Sequence, residues 1–343
     1  MEILIAIIVF CVIITVHELG HFVVAKLCGI YVKEFAIGMG PALIKWKGKE
    51  TQYSLRLFPI GGYCNMEGED VSSDDERAFC NKPVYQRMLV TCAGAVMNIA
   101  LGFLVIMLQT STGGNIVSTT IKQFEENATS AQSGLKVDDK ILKVNGMNIF
   151  VDYDIVYQLV SDEDGLVDMQ VLRDGEKVTL KDVHFAIEKK ADNSQSINID
   201  FSVYSTEKTF FNVIGQSFKE TASTARLIWI SLGDLITGKY GINDLSGPVG
   251  VVNAIGQASS MGINTLLMLI SFITINVGIF NLLPIPALDG GRMIFLIIEA
   301  IRRKPIKPEH EGYVHFIGFA LLILLIIIIS IKDIGMLISN ASS

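Results

Sequence analysis

Residues 3–28 read ILIAIIVFCVIITVHELGHFVVAKLC. The run is long and apolar enough to cross a bilayer, for which about 20 residues suffice. Its second half nevertheless carries His17, Glu18 and His21. Ionisable groups at that depth cost roughly 3 kcal/mol each and mark function by default. The segment therefore predicts a membrane helix that also carries chemistry.

Three further runs, 88–110, 263–283 and 313–331, meet the same length criterion, and the last is almost pure Leu and Ile. Half of the 343 residues are hydrophobic and 18% are charged, against about a quarter charged in soluble domains. The expected fold class is a polytopic α-helical membrane protein with four transmembrane helices. The opening MEIL lacks a basic region, and no A-x-A-like site precedes the next polar stretch, so the first run is expected to be retained. A net charge of −7 without a basic stripe argues against nucleic acid as a partner. The five cysteines form no C-x-x-C pair and point to packing rather than to a thiolate site.

Lys33, Lys45, Lys47, Lys49, Arg56, Arg77 and Lys82 crowd the first loop, and Arg292, Arg302, Arg303, Lys304 and Lys307 the connection before the last run. Positive loops stay in the cytoplasm. The N-terminus, the 110–262 region and the C-terminus are then expected outside, in a multi-pass plasma-membrane protein. Residues 42–58 alternate about Lys47-Gly48-Lys49-Glu50, the signature of a hairpin, with shorter glycine-broken strands on either side. An edge strand between Ile44 and Leu57 is expected to be open to pairing. The words SGLKVDDKILKVNG at 133–146, a helix at 153–161 and the strand–turn–strand VDMQVLRDGEKVTL make a β-rich domain resembling the PDZ fold. Residues 210–238 are helical in period but carry Lys219, Glu220, Arg226 and Asp234, as an interfacial amphipathic helix would.

The expected order is a first transmembrane helix at 1–28, a cytoplasmic-side membrane-associated β-hairpin loop at 29–84 and a second helix at 85–112. A PDZ-like α+β domain at 113–190 and a linker with the interfacial helix at 191–262 follow. The third helix at 263–285, an LDG loop and cytoplasmic connection at 286–312 and the fourth helix at 313–332 complete the chain.

His17 and His21 lie one helical turn apart on one face, a spacing that holds one cation. Glu18 is rotated off that face, where it could reach water held by the metal; this is the mechanics of H-E-x-x-H in zinc hydrolases. A catalytic Zn2+ site needs a third ligand. Asp289 is the candidate, because Pro284 and Pro286 break the third run just before it and leave it on irregular backbone around a cavity. Asn98, Asn276 and Asn281 lie at similar depths, where an amide either binds an extended substrate or glues helices together. A scaffold with a structural metal would call for four protein ligands, and a zinc transporter for polar groups at several depths and a repeated half.

HELGHFVVAKLCGIYVKEFAIGMGPAL together with NLLPIPALDGGR resembles the site-2 protease family of intramembrane zinc metalloproteases, in particular bacterial regulator-of-sigma-factor proteases with one inserted PDZ domain. The resemblance implies that His17, His21 and Asp289 bind zinc, that Glu18 is the general base, and that Asn281 positions substrate. It also implies that the GxxxN word Gly94–Asn98 faces the site, that the first-loop sheet re-enters the membrane, and that SGPVG at 246–250 recurs ahead of the third helix. Many relatives have proline after that glycine; here Ala95 stands there. The implied reaction is hydrolysis of single-span membrane proteins, such as anti-sigma factors or remnant signal peptides, within the lipid bilayer and after an upstream site-1-type protease.

Overall fold

The computed structural model describes residues 2–69, 71–162, 164–189, 195–239, 241, 245–306 and 308–342; Lys307 of the basic connection lies outside them. In chain order, α1 (Glu2–Leu27) leads to β1 (Val32–Lys47), β2 (Gln52–Met66) and α2 (Val84–Thr112). Then come β3 (Ile116–Phe124), α3 (Thr129–Gln132), β4 (Lys140–Val144), β5 (Met147–Asn148) and α4 (Asp152–Val160). Strands β6 (Leu166–Arg173), β7 (Glu176–His184), β8 (Ile187–Lys189), β9 (Gln195–Ile197) and β10 (Phe201–Thr206) precede α5 (Phe210–Ile236). The chain ends with α6 (Pro248–Met261), α7 (Ile263–Asn281), α8 (Asp289–Arg302) and α9 (Pro308–Ser342). It divides into two compact units, one of Met1–Ile106 with Ala225–Ser343 and the other of Met107–Thr224.

Among the described residues, four helices are long and apolar enough to cross a membrane: Glu2–Leu27, Val84–Thr112, Ile263–Asn281 and Glu309–Ser339. They coincide with the four apolar runs of the sequence, and the chain is a multi-pass membrane protein. Ala6, Val9 and Ile13 of α1 pack with Ile255 of α6 and with Leu266, Leu269 and Ile273 of α7.

The stretch expected as linker thus contains a helix. Residues 248–261 carry four polar side chains and two glycines among small and apolar residues, so their periodicity is weak; Pro248 sits in the first turn, where its missing N–H costs nothing. The helix start is held from outside by Asp333 of α9, whose Oδ2 accepts the N–H groups of Gly247 at 2.9 Å and Gly250 at 2.8 Å. The SGPVG word is therefore a capped helix start.

In the first loop, β1 and β2 each bend, giving four short runs. Residues 34–37 pair with 62–65 on one side and with 52–55 on the other, while 44–47 pair with the outer flank of 52–55. The bends fall at Gly38, Gly40 and Gly61, all with φ between 84° and 90°. The glycine-broken strands of the sequence are thus real, but 52–55 is interior and the two free edges are 42–47 and 61–66. The inner half is core: Val32, Phe35, Cys64 and Met66 pack with Ala25 of α1 and Val90 of α2. Leu43, Ile44, Trp46, Leu57 and Phe58 of the outer half are exposed. Glu34 fastens the bend, its Oε1 accepting hydrogen bonds from Ser54 at 2.6 Å and Arg56 at 2.8 Å.

The second unit is built on a sheet ordered β10-β3-β4-β6-β7, with β5 beside β4. Asn145-Gly146 and Asp174-Gly175 make its tight turns with positive φ at all four residues. Ile121, Ile141, Leu159, Met169, Val171 and Phe185 form its core. Strand β10 lies beyond the expected boundary at 190 and pairs with β3, so the domain reaches further than its sequence words suggest. Within this unit α5 packs on α4 through Tyr153, which donates to the Glu220 carbonyl at 2.9 Å, and through Ser223, which donates to buried Asp154. Phe210, Phe211 and Phe218 of α5 stay exposed.

Candidate active site

Helix α1 places His17 and His21 on one face, with their Nε2 atoms 3.2 Å apart. Asp289 comes from the far end of the first unit. Pro284 and Pro286 end α7, and the chain turns through 282–288 so that Asp289 opens α8. It is the first helical residue, whereas the sequence alone placed it on irregular backbone; the irregularity stops at Leu288. Gly290 and Gly291 permit this, because a Cβ at either would collide with the Leu283 or Ile285 carbonyl. Asp289 Oδ2 lies 3.2 Å from His17 Nε2 and 3.4 Å from His21 Nε2.

These three atoms form a nearly equilateral triangle. A tetrahedral ion with bonds of about 2.0–2.1 Å requires ligand separations near this length. Among the described residues Asp289 Oδ2 has no hydrogen-bond partner although it is buried, as suits a ligand atom aimed at a cation. The far ring nitrogens are also engaged. His21 Nδ1–H donates to the Val90 carbonyl at 2.8 Å, which leaves the Nε2 lone pair facing the triangle. The Asn98 amide lies 3.3 Å from His17 Nδ1, and its buried Oδ1 has no hydrogen-bond partner among the described residues. With the amide turned over, Oδ1 accepts Nδ1–H, which resolves both groups and leaves His17 Nε2 free as a ligand. The donor set fits zinc.

Gly94 of α2 backs the triangle. A Cβ there would come within 2.5 Å of His21 Nε2 and 2.7 Å of His17 Nε2. Gly94→Ala is expected to expel the metal while leaving the helices intact, read as zinc per chain beside an unchanged circular dichroism spectrum.

The triangle opens on a cavity of about 410 Å³ whose walls include Glu18, Tyr63, Cys64, Asn65, Met66, Glu69 and Arg292. Glu18 lies beside the ligands, with its Cγ near Gly62 of β2. Residues 63–66 are consecutive, and since a strand face would present only alternate residues, the edge of β2 borders the cavity. A bound peptide would meet backbone donors and acceptors there.

The model of peptidase family M50 matches residues 5–325. The chain belongs to peptidase family M50. Full-length relatives agree with this assignment to the site-2 proteases. A Clostridium acetobutylicum protein provisionally named a zinc metalloprotease is 37% identical over 335 residues, which cover 97% of each chain. The regulator of sigma-W protease RasP of Bacillus subtilis is 31% identical over 96% of this chain and 97% of its own length. The zinc metalloprotease RasP of Bacillus licheniformis is 32% identical with the same coverage. This M50 peptidase is accordingly a zinc metalloprotease.

The structure brings together His17, Glu18, His21, Asp289 and Asn98. Asn281 and Asn276 lie apart from them, in an apolar cavity of about 780 Å³ walled by Phe280, Ile285, Pro286 and residues of α9. Sequence reasoning missed the Val90 carbonyl, Glu69 and Arg292. A backbone carbonyl carries no sequence signal, and the Arg292–Glu69 pair, at 2.5 Å, joins residues 223 positions apart.

Proposed function

We propose that the protein hydrolyses peptide bonds within or near the transmembrane segments of single-span membrane proteins. The observation that carries this reading is the triangle of His17, His21 and Asp289, with Glu18 alongside, on a helix long enough to be a span. His17, His21 and Asp289 hold the zinc, which when bound supplies Lewis acidity toward the scissile carbonyl and the attacking water. Glu18 takes a proton from that water as its oxygen adds to the carbonyl carbon, and returns it to the amine nitrogen as the C–N bond breaks. Val90 and Asn98 keep the two imidazoles in the tautomer that binds metal. Asn281 meets the substrate outside the metal triangle, in the apolar cavity.

A membrane helix hides its peptide bonds in its own hydrogen bonds, so the segment to be cut unwinds first. The unwound strand then pairs with the cavity-side edge of β2, residues 61–66, by β-augmentation. The edge between Ile44 and Leu57 is the poorer candidate, since 52–55 is interior and 42–47 lies on the far side of the sheet. The first-loop sheet lies in the cytoplasmic half of the membrane, and the exposed apolar residues of its outer half support re-entry. The PDZ-like unit lies outside and governs access, either by reading a C-terminus left by an upstream site-1-type protease or by excluding bulky substrates. Helix α5 rests at the interface through its exposed phenylalanines. Anti-sigma factors and remnant signal peptides are the substrate classes that fit.

Site-specific photocrosslinking tests the docking edge. In a Glu18→Gln background, a photoreactive residue at position 65 is expected to capture a tagged single-span substrate, and one at position 46 to leave it free. Capture at 46 alone would sink this part of the reading.

A further inference from the structure

We propose that His315 of α9 is a positioning residue for Asp289, acting through the main chain of the 284–288 turn. Ala287, two residues before Asp289, has φ 74°. That left-handed conformation is one that a residue with a Cβ holds only when its surroundings fix it. The group that fixes it is visible: the Ala287 N–H donates to His315 Nδ1 at 2.9 Å, reaching across 28 residues of chain to another helix.

A second contact of the same helix serves the same turn. Gly318 lies nearly one turn beyond His315, and a Cβ there would stand 2.9 Å from the carbonyl carbon and oxygen of Pro286. Helix α9 therefore runs flush against the Pro286–Ala287 backbone, with His315 as the polar contact and Gly318 as the clearance. Because Nδ1 accepts, the ring proton sits on Nε2, which faces Glu311 Oε1 at 3.7 Å. Glu311 is 3.6 Å from Arg292 Nε, and the Arg292 guanidinium is paired with Glu69 of the cavity wall. Phe295 packs on the imidazole with ring centroids 5.7 Å apart. The ring is thus flanked by Glu311 and Phe295, and its Nδ1 accepts a backbone amide two residues before Asp289.

Groups that orient metal ligands typically change metal affinity by about 10–100-fold when removed. The inference rests on Asp289 being a ligand, and the experiment separates the two. Full-length chain in detergent is challenged with a chelator, and zinc per chain is followed beside circular dichroism and the unfolding midpoint. His315→Ala is expected to release zinc about 10–100-fold more readily. His315→Asn, whose Oδ1 takes the place of Nδ1, is expected to restore retention close to wild type. His315→Gln, whose carbonyl reaches the Nε2 position instead, should fall with alanine.

Alanine and glutamine variants that hold zinc like wild type would overturn the proposal. So would an asparagine variant as leaky as glutamine at the same unfolding midpoint. If the alanine variant does not fold, the order of asparagine and glutamine decides. An Asp289→Ala chain that keeps its zinc ends the ligand assignment itself. One that loses zinc while His315→Ala keeps it ends only the role of His315.

Discussion

Glu18→Gln is expected to lose about 10²–10⁴-fold in cleavage rate, the range a positioned general base supplies, while zinc stays at about one per chain. The substitution is nearly isosteric and touches none of the three ligand atoms, so the triangle and the packing of α1 against α2 persist. What disappears is the capacity to accept the proton of the attacking water. The amide can still hydrogen-bond that water, so binding of substrate should change far less than turnover. Cleavage of a tagged single-span protein in detergent, with metal analysis of the same preparation, checks both halves. Wild-type cutting by this variant would require a base elsewhere in the cavity.

Asp289→Ala is expected to remove metal and activity together. Losing one of three protein ligands leaves two imidazoles 3.2 Å apart without the anionic partner that lies within 3.4 Å of both. The loss of affinity should exceed the roughly 10–100-fold typical of changes outside the ligand set, so that purified protein carries almost no zinc. Asn281→Ala is the control. Its side chain lies in the separate apolar cavity, so zinc content should stay level while turnover of a helical substrate falls. A parallel loss of zinc from both variants would mean that the two cavities are not independent.

The triangle was legible in the sequence because both of its parts are local. His17 and His21 are tied by helical period alone, and Asp289 is marked by the two prolines that end the preceding helix. The four spans were legible because hydrocarbon imposes length and composition on a segment irrespective of its neighbours. What was hidden depends on contacts across the chain. Helix α6 has weak periodicity and is capped by Asp333, more than 80 positions away. Helix α8 begins at Asp289 because Gly290 and Gly291 fold it back against the turn, which residue spacing does not encode. The second edge of the first-loop sheet, 61–66, was hidden for a similar reason: a hairpin pattern gives partners across the turn, but not a strand that bends and pairs on both sides. That β10 joins the domain's sheet was hidden because its partner β3 precedes it by some 80 residues.

Of the four helices long and apolar enough to be spans, α9 has the least protein around it. Its most apolar stretch is only 6% buried, and the apolar run of the helix is 313–331. At about 1.5 Å per residue that run covers about 29 Å, close to the about 30 Å of hydrocarbon. A helix so matched takes up a thinner bilayer by tilting, with little surrounding protein to resist it. Because the proposed brace on the 284–288 turn is carried on this helix, zinc retention is expected to vary with acyl-chain length, as measured in bilayers of graded thickness.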